Sequence, residues 1–375
     1  MVALWIPGAG MADGPPGWGE PAPFFTAPTD GVPNYSIEVA AGRWMVLMVF
    51  GSLGNPACAE ALDRVIQRRA LFDDRDALFF GVTIDPADRL DRGLCNSEPG
   101  IRFFWDLDRT VCTTLGVIDA THLRPTIFLI DRQFRIAASG PIESVDDVLD
   151  RLVAARQAEA DELATDVPPI LLAPRIFEPE FCRTLLDYFA GQTAEESGFA
   201  MDVDGRTVTH VAAQLKRRED VGIADETLLD AVMERLERRL LPLITRAFGW
   251  RPTEIERFLI CRYRAGNQGF FSAHRDNVTA GTAHRKFAVS INLNAEDHEG
   301  GDLRFPEFSR RTFRPPTGGA AVFGCGLLHE VTPVTAGERF TFVPFLYDGE
   351  GARLRAANAG RVAGELVAGR RFAPT

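Results

Sequence analysis

Two histidines and one aspartate in the C-terminal half constrain the fold of this chain most. His274 and Asp276 are two residues apart, and His329 follows 53 residues after Asp276. In a strand, side chains two residues apart project from the same face, so His274 and Asp276 can both face the interior. His329 must reach them from another strand, brought close by closure of a barrel or sandwich. Two imidazoles and one carboxylate are the ligand set of a non-haem Fe(II) site with one face open for substrate and oxygen.

The surrounding sequence predicts β-strands separated by glycine turns. The β-prone segments are residues 287–293, 320–323 and 339–343, and the turns are residues 300–301, 317–319 and 335–337. This pattern places Gly337 in a tight turn that folds the strands of His329 and Arg339 antiparallel and puts Arg339 near the metal. A buried arginine beside iron needs an anion, and its planar fork suits a carboxylate.

A series of motifs in this region resembles the prolyl 4-hydroxylase-like branch of the 2-oxoglutarate and Fe(II)-dependent dioxygenases. The motifs are Tyr263-x-x-Gly266, Phe271, His274-x-Asp276, Gly300-Gly301-x-Leu303, His329-x-Val331-x-Pro333-Val334 and Gly337-x-Arg339. They occur in the order and at the separations typical of the family. The resemblance covers about residues 167–349, half of the chain, and implies a double-stranded β-helix (a jelly roll) with supporting helices.

The resemblance also implies a role for individual residues. It assigns the iron ligands to His274, Asp276 and His329, and the anchor for the far carboxylate of 2-oxoglutarate to Arg339. Tyr263 and Asn292 match positions that often touch 2-oxoglutarate, although relatives frequently have tyrosine in place of Asn292. Tyr263 could instead pack in the core. The implied reaction hydroxylates a prolyl or other amino-acid side chain in a peptide, or a small molecule, and releases succinate and CO₂. Relatives often need ascorbate to keep the iron reduced.

Other polar residues of this half carry weaker expectations. We expect His284 and His298 at the surface, and His210 could line the cleft. The loops 266–273 and 277–284 flank the site and could form a lid. Four arginines could favour an acidic substrate, although a solvated surface explains them as well: Arg285, Arg310, Arg311 and Arg314.

Length and composition set the outer limits. A chain of 375 residues suggests two domains, and a net charge of −11 argues against nucleic acid or an anionic membrane as a partner. Six scattered cysteines with no Cys-x-x-Cys pair favour a reducing cytoplasm. We expect no signal peptide and no membrane helix, because no apolar run approaches the roughly 20 residues that a membrane helix needs.

The N-terminal half predicts an α/β domain over residues 20–155, after a loose segment 1–19. Buried strands are predicted at 44–50, 77–84 and 126–131, and helices at 59–71 and 144–163. Strands that alternate with helices are typical of an α/β sheet.

Three segments of this half resemble the thioredoxin fold in its peroxiredoxin version. They are Ala22-Pro23, the run from Phe103 to Asp108 that leads to Leu115-Gly116-Val117, and Arg124-Pro125-Thr126, which looks like the loop carrying the cis-proline of that family. The resemblance covers about residues 20–155.

Cys58 opens the first predicted helix of this half and is the candidate peroxidatic thiol. A helix N-terminus and a nearby arginine, here Arg124, can lower a thiol pKa. The family's proline and threonine before the cysteine are replaced by Gly51 and Asn55, and Arg124 lies one position away from its usual place. The alternative is a relic domain used for docking or regulation, with Cys58 as a small buried residue. Packing or disulfide formation with Cys58 explains the two other cysteines of this half, Cys95 and Cys112.

The boundary between the halves is predicted at Val167-Pro168-Pro169, where a helix should stop. Residues 156–166 then end a linker helix, residues 167–350 form the dioxygenase domain, and residues 351–375 form a basic tail that docks or stays loose. A long amphipathic helix is predicted over 225–250, against the back of the jelly roll.

Three functions follow from these patterns. The first is an Fe(II)/2-oxoglutarate dioxygenase, which the complete ligand set favours. The second is a thiol peroxidase that uses Cys58, and the third is a sensor that binds iron and 2-oxoglutarate without catalysis.

Overall fold

A computed structural model describes residues 14–119, 122–161, 167–363 and 369–373, with the side chains of 159–161 left out. The described residues divide into two compact units: an N-terminal unit that ends before Val167 and also includes Pro306–Ser309, and a C-terminal unit that includes Val167–Phe305 and the described residues from Arg310 onward. Each unit has its own hydrophobic core. In the part of the chain described above, no helix has the length and apolar character that a membrane crossing requires.

The N-terminal unit is a five-stranded sheet with helices. Its elements are β1 Thr26–Thr29, β2 Val32–Ser36, β3 Trp44–Gly51, α1 Pro56–Gln67, β4 Ala77–Thr83, α2 Pro86–Leu90, β5 Ile101–Trp105, α3 Thr110–Thr114, β6 Thr126–Ile130, β7 Ile136–Pro141 and α4 Val145–Asp161. The sheet has the order β5-β4-β3-β6-β7. Strands β3, β4 and β5 are parallel, and β6 and β7 run antiparallel to their neighbours. This mixed sheet confirms the predicted thioredoxin-like α/β domain.

The central strands are buried because their sequences are apolar on both faces. Every residue of β4 and β6 is buried, as expected of strands that are covered on both sides. Helix α1 packs on this sheet through Cys58, Ala61, Leu62 and Val65. The predicted helix 59–71 thus begins three residues earlier, at Pro56, where Asn55 caps it by accepting a hydrogen bond from the backbone of Ala57.

The C-terminal unit is mainly antiparallel β structure. Its elements are β8 Ile170–Ala173, α5 Pro179–Ala190, β9 Glu195–Glu196, β10 Phe199–Val203, β11 Arg206–His210, β12 Lys216–Arg217, β13 Glu219–Gly222, α6 Glu226–Arg235, α7 Leu241–Phe248, β14 Glu254–Glu256, β15 Leu259–Arg264, β16 Phe270–His274, β17 Phe287–Asn292, β18 His298–Gly300, β19 Leu303–Arg304, β20 Thr312–Phe313, β21 Ala320–Gly324, β22 His329–Val331, β23 Val334–Phe342, β24 Phe345–Tyr347, α8 Gly349–Asn358 and β25 Gly369–Arg371.

Two sheets carry the fold of this unit. The larger has the order β25-β14-β24-β17-β23-β15-β13-β9, with β18 on β23, β21 on β17 and β8 on β21. The smaller has the order β12-β16-β22-β19-β20. Two antiparallel sheets agree with the predicted jelly roll, and strands of both contribute to the cavity described below.

Three helices cover the apolar face of the larger sheet. Leu185 of α5, Val232 of α6 and Ile244 of α7 share one core with Val289 of β17 and Phe342 of β23. The single long helix predicted over 225–250 is in fact interrupted. Its turn Leu236–Leu240 is a π-helix between α6 and α7, next to Pro242, which cannot donate a helical hydrogen bond.

The predicted turn at 335–337 is wrong. Gly337 lies inside β23 with φ +68°, and the link from β22 to β23 is Thr332-Pro333. The two strands do not pair: β22 pairs with β16 and β19 in the smaller sheet, and β23 belongs to the larger one. Gly337 is needed because a Cβ there would lie 2.2 Å from the carbonyl oxygen of Asp297.

The described part of the C-terminal tail docks on the barrel. Strand β25 pairs antiparallel with β14, with Arg370 opposite Ile255. Arg370 also forms ion pairs with Glu226 and Asp230 of α6. Of the two states left open for the tail, docking is the one that the structure shows for these residues.

Candidate metal centre

His274, Asp276 and His329 meet at one point of the C-terminal unit. Nε2 of His274 lies 3.5 Å from Oδ1 of Asp276, and Nε2 of His329 lies 3.3 Å from Oδ2 of the same carboxylate. One ligand atom from each residue lies within 4.8 Å of the others. The three side chains therefore turn two imidazole nitrogens and a carboxylate toward a common position.

Strand pairing brings the two histidines together. β16 and β22 are antiparallel neighbours, and His274 is directly opposite His329, after an irregularity in register that follows Phe271. Strand β16, however, ends at His274, so Asp276 lies outside the strand in which the sequence pattern placed it. Asp276 lies just beyond it, where its backbone N–H donates to the carbonyl of Cys325 at 3.0 Å. The aspartate is thus positioned by a loop contact rather than by strand alternation alone.

Backbone carbonyls orient both rings. Nδ1 of His274 lies 2.8 Å from the carbonyl oxygen of Ser272, and Nδ1 of His329 lies 3.0 Å from that of Leu327. A carbonyl can only accept, so Nδ1 carries the proton and the lone pair of Nε2 faces the common position. Burial, and then the neighbouring His329, lower the pKa of His274 to about 4, so this ring is neutral near pH 7.

Asp276 is held as a carboxylate. Burial alone would raise its pKa, but His329 and His274 outweigh burial and lower the pKa well below the usual value. One ionised carboxylate and two imidazoles are the donor set that divalent iron takes. The side chains present therefore fit an Fe(II) ion.

Arg339 is a buried cation in the same cavity. It is 2% exposed, and its Nη2 donates to Oγ of Ser290 at 3.1 Å and to Oδ1 of Asn292 at 3.3 Å. In the described chain no carboxylate lies within ion-pair distance of it. Burial lowers the pKa of Arg339, yet a guanidinium stays charged at neutral pH. The site thus has a charge that requires an anion.

A small cavity connects the candidate ligands to Arg339. It measures about 50 Å³ and is lined from both sheets. The lining includes His274, Asp276, His329, Arg339, Tyr263, Arg218 and Arg257. Gly301 gives Arg339 room, since a Cβ there would lie 3.0 Å from Cδ of Arg339.

The structure places both co-substrate candidates, Tyr263 and Asn292, at this cavity or beside it. Tyr263 is 2% exposed, and its ring lies 5.3 Å from the guanidinium carbon of Arg339. Asn292 accepts from Arg339 and donates from Nδ2 to the carbonyl of Pro315 at 2.7 Å. The assignment of these residues to 2-oxoglutarate stays a prediction.

Three polar residues of the cavity were missed by the sequence reasoning. Ser290 touches Arg339, and Arg218 and Arg257 line the cavity. Ser290 was detectable, because it precedes Asn292 by two residues on the same strand and so shares its face. Arg218 and Arg257 follow no motif that we recognised.

Two histidine expectations are wrong. His284 and His298 are buried, at 2% and 5% exposed. Nε2 of His284 lies 3.0 Å from Oε2 of Glu256, and Nδ1 of His298 lies 3.0 Å from the carbonyl of Gly300. A polar partner for each ring offsets the cost of burying it. His210 is exposed at the end of β11 and, like the other two, is not among the residues that line the cavity.

The arginines expected to attract an acidic substrate do not line the cavity. Nε of Arg285 donates to Oε1 of Glu256 at 2.8 Å. Nε of Arg314 donates to Oδ1 of Asp302 at 2.5 Å. Arg310 and Arg311 are exposed. Among the residues that the structure describes, the arginines that line the cavity are Arg218, Arg257 and Arg339.

The two proposed lid loops differ from the expectation. Most of 266–273 belongs to a short 3₁₀ turn and to β16. The loop 277–284 is tied to the hairpin β10–β11: the backbone of Ala280 donates to Oδ2 of Asp202, and that of Gly281 to Oγ1 of Thr207.

The Cys58 site of the N-terminal unit lacks the expected electrostatics. Cys58 lies near the start of α1 as predicted, but it is completely buried, and its Sγ donates to the carbonyl of Phe50 at 3.2 Å. Burial, with Glu143 and Asp88 nearby, raises its pKa to about 11. The lowered pKa that a peroxidatic thiol needs is therefore not found at Cys58. Asp88 also accepts from the backbone of Leu53 at 3.0 Å, which places a carboxylate against the loop before the helix.

The other residues of the peroxidase hypothesis give it no further support. Arg124 is exposed and donates to the carbonyl of Gly116 at 3.1 Å. Cys95 is exposed, and Cys112 is buried with a raised pKa caused by burial and Asp106. The cis peptide in the described chain is Glu98–Pro99, not the expected bond before Pro125.

Comparison with family models identifies both regions. Residues 258–347 match the 2OG-Fe(II) oxygenase superfamily, and residues 18–139 match the AhpC/TSA family. These matches confirm the two resemblances read from the sequence and the two-part fold class.

Curated relatives match the C-terminal region. A PKHD-type hydroxylase of Hyphomonas neptunium is 27% identical over 153 residues, which are 38% of this chain and 66% of the relative. A PKHD-type hydroxylase of Nitrobacter winogradskyi is 30% identical over 154 residues, again 38% and 66%. The chain therefore spans 66% of the length of these relatives.

Solved structures match each unit separately. A prolyl-4-hydroxylase of Pseudomonas putida has a TM-score of 0.38 and 18% identity, and covers 51% of this chain and 97% of its own. A reduced 2-Cys peroxiredoxin of Plasmodium vivax has a TM-score of 0.33 and 16% identity, with 38% and 98% covered.

Proposed function

We propose that this protein is an Fe(II)- and 2-oxoglutarate-dependent dioxygenase that hydroxylates an amino-acid side chain of the prolyl type or a small molecule. The observation that carries the proposal is one cavity that contains both the His274, Asp276 and His329 cluster and the buried cation Arg339. The match to the 2OG-Fe(II) oxygenase superfamily over residues 258–347 supports it.

His274, Asp276 and His329 would hold the iron. When bound, the metal supplies activation of oxygen for oxidation of a substrate C–H bond, coupled to conversion of 2-oxoglutarate to succinate and CO₂. The protein contributes fixed geometry: the carbonyls of Ser272 and Leu327 keep both Nε2 atoms free for the metal. Burial lowers the pKa of His274 to about 4, so this ring needs no deprotonation before it binds the metal at pH 7.

Arg339 would orient the co-substrate. Its guanidinium can form a paired hydrogen bond with a carboxylate, which fixes direction as well as position. Ser290 and Asn292 hold Nη2 of Arg339 from one side, and the ring of Tyr263 lies 5.3 Å away from the guanidinium carbon. The apolar part of the cavity wall, which includes Phe323, Val331 and Leu303, would limit the access of water to the reacting groups.

One further expectation and two alternative functions belong to this proposal. We expect ascorbate to stimulate turnover by keeping iron reduced. The thiol peroxidase alternative is weakened by the raised pKa of Cys58, since the thiolate is the nucleophile. A sensor that binds without catalysis is separated from an enzyme by the formation of succinate.

The deciding experiment is an anaerobic titration of the metal-free protein with Fe(II) and then 2-oxoglutarate. Wild type should develop the weak visible charge-transfer band of the chelate, and His274→Ala should not. Arg262→Gln is the matched control, because Arg262 is 25% exposed, pairs with Glu219 and does not line the cavity. A correctly folded wild type without the band would refute the proposal. Succinate formation after admission of oxygen then distinguishes enzyme from sensor.

A further inference from the structure

Arg257 is a cation with few partners in the candidate cavity. Its side chain is 19% exposed and lines the cavity. Among the described residues its guanidinium makes one polar contact, from Nη2 to Oδ2 of Asp220 at 3.5 Å. A guanidinium has five N–H donors, so most of those on Arg257 have no acceptor from the described chain.

Asp220 is already committed to other donors. Its Oδ2 accepts from Oγ of Ser197 at 2.5 Å and from Nη2 of Arg218 at 2.7 Å. Its Oδ1 is buried without a hydrogen-bond partner in the described chain, so the carboxylate does not form a two-point pair with Arg257. One carboxylate thus faces two guanidinium groups, which leaves a net positive charge at this end of the cavity.

The neighbouring Arg285 is a cation whose charge is paired, and it provides a comparison for Arg257. Arg257 and Arg285 both stack on Phe345, with guanidinium carbons 5.6 Å and 4.0 Å from the ring centre. Arg285 has its own buried carboxylate, Glu256, at 2.8 Å. It is not among the cavity residues, whereas Arg257 is.

The backbone holds Arg257 in an unusual conformation. Its φ is +71°, in the left-handed region that residues with a Cβ rarely adopt. It occupies the tight link between β14 and β15, where Leu259 N–H donates to its carbonyl at 3.0 Å. Non-glycine residues held in this region cluster at ligand sites. Here the conformation accompanies a side chain placed on the cavity wall.

Arg257 and Arg339 mark two different anion positions. Arg339 and Arg257 are linked only through Tyr263 and Arg218 among these contacts. The guanidinium carbon of Arg339 is 5.3 Å from the ring centre of Tyr263, and Nη1 of Arg218 is 3.5 Å from the Tyr263 hydroxyl. Arg218 in turn shares Asp220 with Arg257. A single carboxylate on Arg339 therefore leaves the charge of Arg257 unmatched.

We propose that Arg257 is the anion subsite for the organic substrate, and that this substrate carries a carboxylate which pairs with Arg257 while its reacting C–H bond faces His274, Asp276 and His329. The inference rests on the proposed function and deepens it by naming the substrate class. Arg218 is a positioning residue. It donates to the carboxylate of Asp220, and the N–H groups of Arg257 therefore remain able to bind a substrate carboxylate.

The test measures binding of acetate and its neutral isostere acetamide to the full-length protein by saturation-transfer NMR. The protein is loaded with Zn(II), which is redox-inert, and saturated with 2-oxoglutarate to fill Arg339. Wild type should bind acetate at least tenfold more tightly than acetamide. Arg257→Gln should lose at least tenfold in acetate affinity, Arg257→Lys should retain most of it, and the control Arg262→Gln should match wild type.

Two results would overturn the subsite. One is the absence of acetate binding to wild type, and the other is acetate affinity that is unchanged in Arg257→Gln, which would assign the anion to the metal or to Arg339. Because Arg257→Lys preserves the charge, it keeps the test valid if Arg257→Gln fails to fold. The two proposals can fail separately. Failure of the protein to bind 2-oxoglutarate refutes the dioxygenase. An acetate titration without 2-oxoglutarate still measures how strongly acetate binding depends on Arg257.

Discussion

Each unit carries reactive side chains that its matching family uses for chemistry. Only the C-terminal unit also has the surroundings that such chemistry needs. In the C-terminal unit, carbonyls orient His274 and His329, and the ionised Asp276 lies between them. In the N-terminal unit, Cys58 lies in the first turn of α1 yet is buried beside carboxylates, with its pKa raised to about 11. A reactive side chain is therefore weak evidence of function until the charges around it are known.

The difference is one of electrostatics, not of fold. Both units have the architecture expected of the families whose models they match. Peroxide chemistry requires a stabilised thiolate, and Asp88 and Glu143 disfavour negative charge on Cys58. Metal binding requires neutral imidazoles and an ionised carboxylate, and burial of His274 favours its neutral form.

Asp276→Asn should give the largest effect. It keeps the shape of the side chain but removes the negative charge that faces both Nε2 atoms. Changes in residues that merely support a ligand cost about 10–100-fold in metal affinity, so we expect a loss beyond about 100-fold here. Anaerobic equilibrium dialysis with Fe(II) measures it, with Asp302→Asn as a control outside the cavity. If Asp276→Asn bound iron as tightly as wild type, the charges around the metal centre would not set it apart from the Cys58 site.

Arg339→Gln should raise the concentration of 2-oxoglutarate needed for half-saturation by about 10–150-fold. This range follows from the roughly 1.5–3 kcal/mol of hydrogen bonds to a charged group. The half-saturating concentration for Arg339→Lys should lie between those of Arg339→Gln and wild type, since lysine keeps the positive charge but cannot form the paired hydrogen bond of a guanidinium. The anaerobic titration that follows the visible charge-transfer band measures this change in half-saturating concentration. An equal shift in Arg262→Gln would show that the effect is not specific to the cavity.

Glu256→Gln should destabilise the C-terminal unit by about 3 kcal/mol at pH 7. Glu256 is buried; burial opposes its charge, but His284 and Arg285 lower its pKa to about 2 from 4.5. A lowered folded-state pKa stabilises the fold above about 4.5, and this stability is lost as the pH falls toward 2.

Hydrogen exchange of β14 at a series of pH values checks this prediction. The difference in protection between wild type and Glu256→Gln should be full near pH 7 and should shrink below about pH 4.5. A difference that does not change with pH would mean that the variant loses packing rather than charge. Because Arg285 also donates to the carbonyl of Asp276 at 3.5 Å, the same network borders the metal centre.

Cys58→Ser should have the smallest effect, with less than a twofold change in succinate formation. A thiol of pKa about 11 has roughly 300-fold less thiolate at pH 7 than one of pKa 8.5. In the native protein, iodoacetamide should therefore label the exposed Cys95 first and leave Cys58 unmodified, as mass spectrometry can show. Rapid labelling of Cys58, or peroxide reduction lost in Cys58→Ser, would restore the peroxidase hypothesis.

The sequence by itself determined the fold class and the candidate chemistry of this protein. Apolar runs such as 44–50 predicted buried strands, because a strand covered on both faces must be apolar throughout. The spacing of His274, Asp276, His329 and Arg339 predicted a metal centre with an adjacent cation, and the structure brings all four to one cavity. These features are local in sequence or limited to a few residue types, so pattern reading detects them.

Only the tertiary structure decided what surrounds each reactive residue. Burial of His284 depends on Glu256, which is 28 residues away in the chain, and the raised pKa of Cys58 depends on Asp88 and Glu143. Arg257 became a candidate anion site only once the partners of Asp220 were known. Burial and charge balance arise from residues distant in sequence, whereas strand and helix patterns arise from neighbours. This is why the sequence identified the reactive side chains and the fold determined which of them are suited to react.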